Sequence, residues 1–188
     1  MLDHLLSALR IFLALTLLTG ILYPLAVTAI AHTLFPYRAG GSLLQIDGRV
    51  IGSELLAQKF STPRYFWPRP SAADYATIPS GASNLAWSSA RLKKVVAERR
   101  ADLNGADGTQ PVPAELIFAS GSGLDPHISP AAAFYQLDRV ATARSFDGEQ
   151  RRRLQNLIAQ HTEQPLWGFL GQSRVNVLRL NIELDRLS

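Results

Sequence analysis

The chain has 188 residues, 47% of them hydrophobic and only 18% charged, with a net charge of +4 and no cysteine. That length holds one ordinary domain plus an appendage, and the low charge says that part of the chain avoids water. The lack of cysteine excludes disulfides, thiol catalysis and cysteine-ligated zinc. The scattered positive charge does not mark a nucleic-acid surface.

Arg10 and Arg38 bracket 27 residues with no Asp, Glu, Lys or Arg. As a helix this run is about 40 Å long, against roughly 30 Å of bilayer hydrocarbon, with His32 and Tyr37 at the interface. Ala29-Ile30-Ala31 has the form of a cleavage site. A signal peptide, however, needs an apolar region of only about 7 to 15 residues, and the run before it is longer. A buried soluble helix is rarely apolar all round for so long. A retained membrane anchor over residues 1–37 is the expectation, with the bilayer as a partner. Pro24 removes a backbone donor and is expected to kink the helix. Thr16 and Gly20 form a small-xxx-small pair that lets another helix approach. Arg10 precedes the span and Arg38 and Arg49 follow it, so charge does not orient it.

Residues 38–188 then read as one water-exposed domain, giving an α+β chain: a single transmembrane helix followed by one mixed α/β domain. Asp47-Gly48 between two apolar runs signals a two-residue hairpin. Residues 61–82 are rich in Pro, Gly and Ser, but Tyr65, Phe66, Trp67 and Tyr75 make them an ordered loop rather than a linker. Ser83 is expected to cap a helix from about Asn84 to Leu103, with Leu85, Leu92, Val96 and Leu103 at helical spacing. Residues 104–113 read as a polar loop. Leu116 to Ala119 read as a short buried strand. Ser129 caps a helix with Pro130 at its first position, running to about Arg144. Asp147 and Gln150 form a capping box for the next helix, with Leu154, Leu157 and Ile158 on its buried face. The tail from 175 to 187 fits both a strand and a helix face, and a strand giving way to a short helix is expected.

The stretch SGSGLDPHISP, residues 120–130, carries the letters of an active site. Ser122, Asp125 and His127 name a hydrolase triad, but they lie within six residues, whereas triad members come from separated segments. Gly121 and Gly123 flank Ser122 too closely for a nucleophile elbow. Pro126 sits where a dinucleotide loop needs glycine, and no Walker motif occurs. Asp125 and His127 alone are a thin metal set, because a catalytic zinc wants three protein ligands. The simpler expectation is a rigid strand-to-helix connector. A second stretch, Ser80-Gly81-Ala82-Ser83-Asn84, precedes the expected helix. Its N–H groups and hydroxyls could hold an anion there, although a serine-capped turn is the favoured account.

Several motifs in order carry a family resemblance. They are GSLL (41–44), GSELLAQKF (52–60), YFWPRPSA (65–72), SGASNL (80–85), ASGSGLDPHISPAAA (119–133), RVATAR (139–144) and QPLWGFLGQSRVNVLRLNIELD (164–185). The chain resembles the C subunits of bacterial Kdp potassium-transporting ATPases. It departs at Ala82, where the family usually has glycine, and at Trp67, which replaces a small or polar residue.

The resemblance implies a non-catalytic subunit of the bacterial cytoplasmic membrane, with its N-terminus inside and its domain outside. Its implied partners are a channel-like potassium-selective subunit, a P-type ATPase subunit and a very small hydrophobic subunit. The implied role is assembly, together with raising the ATPase subunit's affinity for ATP. No cofactor is bound tightly in this reading, and ATP enters through the ATPase subunit. Ser80, Gly81, Ser83 and Asn84 become the place to look for nucleotide contact. Ser120, Gly121, Gly123, Asp125, His127 and Pro130 become a docking or structural loop. The competing expectation is a membrane-anchored serine hydrolase using Ser122 and His127.

Overall fold

The computed structural model describes residues 1–104 and 111–187. The chain divides into two compact units, Met1–Ile51 and Gly52–Ser188.

The first unit is built on one long helix. α1 (Leu2–Leu17) passes through a π-helical turn (Leu18–Leu22) into α2 (Tyr23–Leu34). Its 33 residues make it the one helix among those described that is long and apolar enough to cross a membrane. At 1.5 Å per residue it spans about 50 Å. Its leucines, isoleucines and phenylalanines point outward on all sides, the pattern of a helix whose solvent is lipid.

Directly before Pro24, where a kink is expected, the helix takes a π turn. Proline has no N–H to donate and its ring crowds the carbonyl four residues back, so a wider turn at Gly20 relieves the clash. Thr19 and Thr33 return their hydroxyls to Leu15 O and Ala29 O, both at 2.7 Å, so these two donors are paired within the helix. Thr16 lies in α1 and Gly20 in the π turn, with open space beside Gly20. A short helix α3 (Pro36–Ala39) follows, then the hairpin of β1 (Leu43–Ile46) and β2 (Arg49–Ser53). Asp47 and Gly48 both have positive φ (50° and 75°), the twist that a two-residue hairpin turn requires.

The second unit packs helices on a small antiparallel sheet. Its elements are α4 (Ala90–Asn104), α5 (Ala114–Ile117), β3 (His127–Ile128), α6 (Pro130–Ala143), α7 (Gly148–Gln160), β4 (Thr162–Glu163), β5 (Arg174–Asn176) and α8 (Val177–Asp185). β5 is central, with His127 opposite Asn176 on one side and Thr162 opposite Val175 on the other. Phe66, Ile128, Val140, Leu154, Ile158, Val175, Leu180 and Leu184 form the core where α6, α7 and α8 meet the sheet.

The helix starts follow side-chain chemistry. Ser129 Oγ accepts from Ala132 N at 3.1 Å with Pro130 at the first position. Asp147 and Gln150 complete the expected capping box at 2.8 and 2.9 Å. The tail resolves as a strand, 174–176, followed by a helix capped by Asn176.

Two elements differ from the sequence reading. α4 starts at Ala90, not near Asn84. Asn84 has φ +50°, and the cap is Ser89, whose Oγ accepts from Leu92 N at 3.3 Å. Two serine caps compete in this segment, and the one nearer the charged run starts the helix. The strand expected at 116–119 is instead a single helical turn, 114–117, launched by Pro113. Leu116 and Ile117 are both buried, as expected, but from a helical turn. Phe118, just after the turn, is extended. The polar loop expected at 104–113 falls largely on 105–110, outside the described residues.

Candidate functional site

The 61–82 segment has no helix or ladder, so its backbone polar groups need other partners. Side chains supply them. Asn181 Oδ1 accepts from Phe66 N, and its Nδ2 donates to Phe66 O, both at 2.9 Å. One residue on, Gln136 repeats the pattern, accepting from Trp67 N at 2.8 Å and donating to Trp67 O at 3.1 Å. Two buried amides thus replace a strand partner. Arg139 donates to Pro63 O and Tyr65 O at 2.8 and 3.1 Å and lies 3.9 Å from the Trp67 ring centroid. Burial pushes its guanidinium down to about 10, which still leaves it charged at neutral pH. Arg144 donates to Arg64 O and pairs with Asp185, which also accepts from Tyr65 Oη. The Arg139 contact also accounts for the large side chain at Trp67, since the ring forms one face of the cation's site.

The 120–130 loop is tied to neighbours along its length. Ser120 N donates to Pro70 O at 3.1 Å, Leu124 O accepts from Ala57 N at 2.9 Å, and Pro126 O accepts from Val177 N at 3.0 Å. Ser129 is held by both carboxylate oxygens of Glu115. Ser122 Oγ is exposed and accepts from Leu124 N at 3.1 Å. No hydrogen bond joins it to His127, whose ring Nδ1 stands 3.6 Å from Asp125 Oδ1. The serine and the imidazole are not arranged as nucleophile and base. Among the described residues, no group of three or more His, Cys, Asp and Glu gathers to hold a metal.

Asp125 is the electrostatic centre of the loop. The His127 imidazole beside it, the His127 N–H at 3.0 Å and the Arg69 guanidinium at 3.0 Å hold its carboxyl down at about 2, against burial, which pushes it up. A depressed folded-state value stabilises above the ordinary 3.8, and that contribution is lost as pH falls through about 2. Asp125→Asn is therefore expected to cost about 1 kcal/mol at neutral pH, since screening limits a carboxylate that is 31% exposed. The cost is expected to shrink between pH 4 and 2, as read by denaturant unfolding at each pH. A variant deficit that stays constant with pH would contradict this.

The two glycine-bearing motifs meet. A Cβ on Gly123 would stand 2.9 Å from Gly81 O, 3.6 Å from Gly81 N and 3.2 Å from Ser71 Oγ, and Gly123 has φ +70°. SGAS and SGSG therefore touch backbone to backbone, with Ser71 completing the junction. Ser71 Oγ is itself fixed by the N–H groups of Ala73 and Tyr75 at 3.1 and 2.9 Å. Beside this junction a cleft of about 580 Å³ is lined by Ser71, Ser83, Trp87, Arg91, Arg99 and Phe118, among others. Ser83 lines it, while Ser80 and Asn84 are exposed. With α4 beginning at Ala90, no helix N-terminus backs residues 80–84, and the dipole argument for an anion there falls away.

Known proteins settle the family. A model described as "KdpC: K+-transporting ATPase, c chain" matches residues 5–186. The chain belongs to the KdpC family. A protein of Sorangium cellulosum named as a potassium-transporting ATPase KdpC subunit is 52% identical over 190 residues, covering 98% of each chain. Proteins with the same name from Leptospira interrogans and Methylococcus capsulatus are 49% and 47% identical. The first match covers 95% of this chain and 91% of the relative, and the second covers all of both.

Within the KdpC frame the motifs quoted from sequence become spatially legible. YFWPRPSA is the loop held by Gln136, Arg139, Arg144 and Asn181. RVATAR supplies the two arginines, and the C-terminal block supplies the asparagine. The amides were missed by sequence reasoning because Gln136 and Asn181 sit among apolar positions of helices. Their only signal there is a polar residue on a buried face, which gives no partner.

Proposed function

We propose that this chain is the non-catalytic accessory subunit of an ATP-driven, high-affinity potassium uptake system in the bacterial cytoplasmic membrane. Its N-terminal helix crosses the bilayer with the N-terminus inside, and residues 38–188 lie outside. It serves assembly and stability by docking to a channel-like potassium-selective subunit, a P-type ATPase subunit and a small hydrophobic subunit. Hydrolysis belongs to the P-type subunit. The observation that carries this reading is the family match over residues 5–186, which includes the span as well as the domain.

The site supports a binding role. The 120–130 loop and the 80–84 segment form a fixed surface around the Gly81–Gly123 contact, and Ser122 has no base. Ser120, Gly121, Gly123, Asp125, His127 and Pro130 shape that docking surface, with Ser80, Gly81, Ser83 and Asn84 beside it. The chain holds no cofactor tightly. With the domain outside, its effect on ATP affinity passes through the membrane helices, as a coupling free energy between distant sites. Thr16, Gly20 and Pro24 mark the stretch of the span that packs on partner helices.

Because the native chain has no cysteine, topology is directly testable. Arg152→Cys, on the exposed face of α7, is expected to react with a membrane-impermeant maleimide in intact spheroplasts. Labelling only after lysis would place the domain inside and contradict this reading.

A further inference from the structure

We infer that the hairpin at residues 164–173 inserts its apolar tip into the interfacial layer of a lipid bilayer. The proposal rests on the geometry of this hairpin and on the chain's own membrane-spanning helix. It does not depend on which subunits the chain joins.

The hairpin continues the β4–β5 ladder outward. Its base is clamped by the Arg174–Glu163 ion pair at 2.9 Å and by Ser173 Oγ donating to Gln164 Oε1 at 3.1 Å. Beyond the clamp, Leu166 and Leu170 exchange two backbone bonds, at 2.9 and 3.0 Å. Trp167 and Gly168 turn the chain with φ of 55° and 84°. The tip residues are conspicuous for their exposure: Leu166 58%, Trp167 77%, Phe169 77% and Leu170 54%. No charge occurs from Gln164 to Ser173.

Three features fit lipid as the medium that covers this tip. First, part of its backbone is paired internally. Leu166 and Leu170 pair with each other, Gly168 N donates to Pro165 O at 2.9 Å, and Phe169 N donates to Leu166 O at 3.4 Å. Such a turn leaves water without orphaning those groups, which is the main condition a bilayer imposes. Second, tryptophan and phenylalanine lie side by side, with ring centroids 6.4 Å apart. The indole N–H suits the headgroup level, where one end of the ring is apolar and the other wet. Third, the domain is tethered. Seventeen residues separate Leu34, where the spanning helix ends, from Gly52, where the second unit begins. Fully extended they reach at most roughly 60 Å, so the bilayer stays at high effective concentration and a weak insertion suffices.

The test uses the full chain alone, reconstituted in vesicles of phosphatidylcholine and phosphatidylglycerol, with a nitroxide on one introduced cysteine. Phe169→Cys and Leu166→Cys probe the tip, Arg152→Cys the aqueous face of α7, and Ile21→Cys the span. Accessibility to a water-soluble nickel chelate is expected to be at least about three-fold lower at 169 and 166 than at 152, with oxygen accessibility raised toward that of 21. Tip labels as open to the chelate as 152, while 21 reports lipid, would overturn the proposal with the anchor intact. Shielding that appears only when other membrane subunits are added would also overturn it, assigning the tip to a protein partner.

Discussion

Asn181→Leu is expected to lower the stability of the second unit by about 2–5 kcal/mol, although leucine is more apolar and of similar size. The side chain is 2% exposed and its amide satisfies both the N–H and the C=O of Phe66, a residue that is itself fully buried. Leucine fills the space and leaves both backbone groups without partners, at about 1–3 kcal/mol each. The loop holding Tyr65, Phe66 and Trp67 would then lose its attachment to α8, and amide exchange at Phe66 should rise with it. Chemical denaturation of the full chain in detergent, read through the near-UV signal of the tryptophans, measures the loss. A change below about 0.5 kcal/mol, the scale of a neutral surface substitution, would mean that these bonds do not hold the loop.

The second large effect separates two glycines of one motif. Gly123→Val is expected to cost about 2–4 kcal/mol, and Gly121→Val no more than about 0.5 kcal/mol. Gly123 has φ +70°, where a β-branched residue is strained, and its Cβ would press on a backbone oxygen of Gly81 that has no flexible side chain to yield. Gly121 has open space around it and lies on the exposed side of the loop. Equal losses in the two variants, from the same denaturation experiment, would contradict the backbone contact between SGSG and SGAS.

Much of the fold was legible because short-range chemistry decides it. Ser129-Pro130, the Asp147/Gln150 box and Asp47-Gly48 each specify a start or a turn within four residues, and each is found where expected. The spanning helix was legible from the charge-free run alone, whereas the form of its break was not. Proline says that a carbonyl is crowded, and only the packed backbone says that a π turn relieves it.

The errors fell where local signals compete. Ser83 and Ser89 both precede helix formers. Four apolar-leaning residues at 116–119 suit a strand, but with Pro113 ahead of them the chain takes a helical turn. The candidate site was half legible. Sequence named both glycine motifs and rejected the triad on spacing, but their meeting spans about forty residues of chain and leaves no local mark. The amide partners of Phe66 and Trp67 were hidden for the same reason. The Asp147/Gln150 hydrogen bonds close over three residues, whereas those from Asn181 to Phe66 close over 115.

The central claim is that this member of the KdpC family contributes binding rather than chemistry. The most direct measurement is potassium-stimulated ATP hydrolysis by the full chain purified alone, and by the assembly recovered when the tagged chain is drawn from native membranes in mild detergent. No hydrolysis is predicted for the chain alone. Activity is predicted only in fractions that also contain the larger membrane subunits, and Ser122→Ala should leave it unchanged. A stable single chain that hydrolyses ATP by itself, or loss of the activity in Ser122→Ala, would contradict the account.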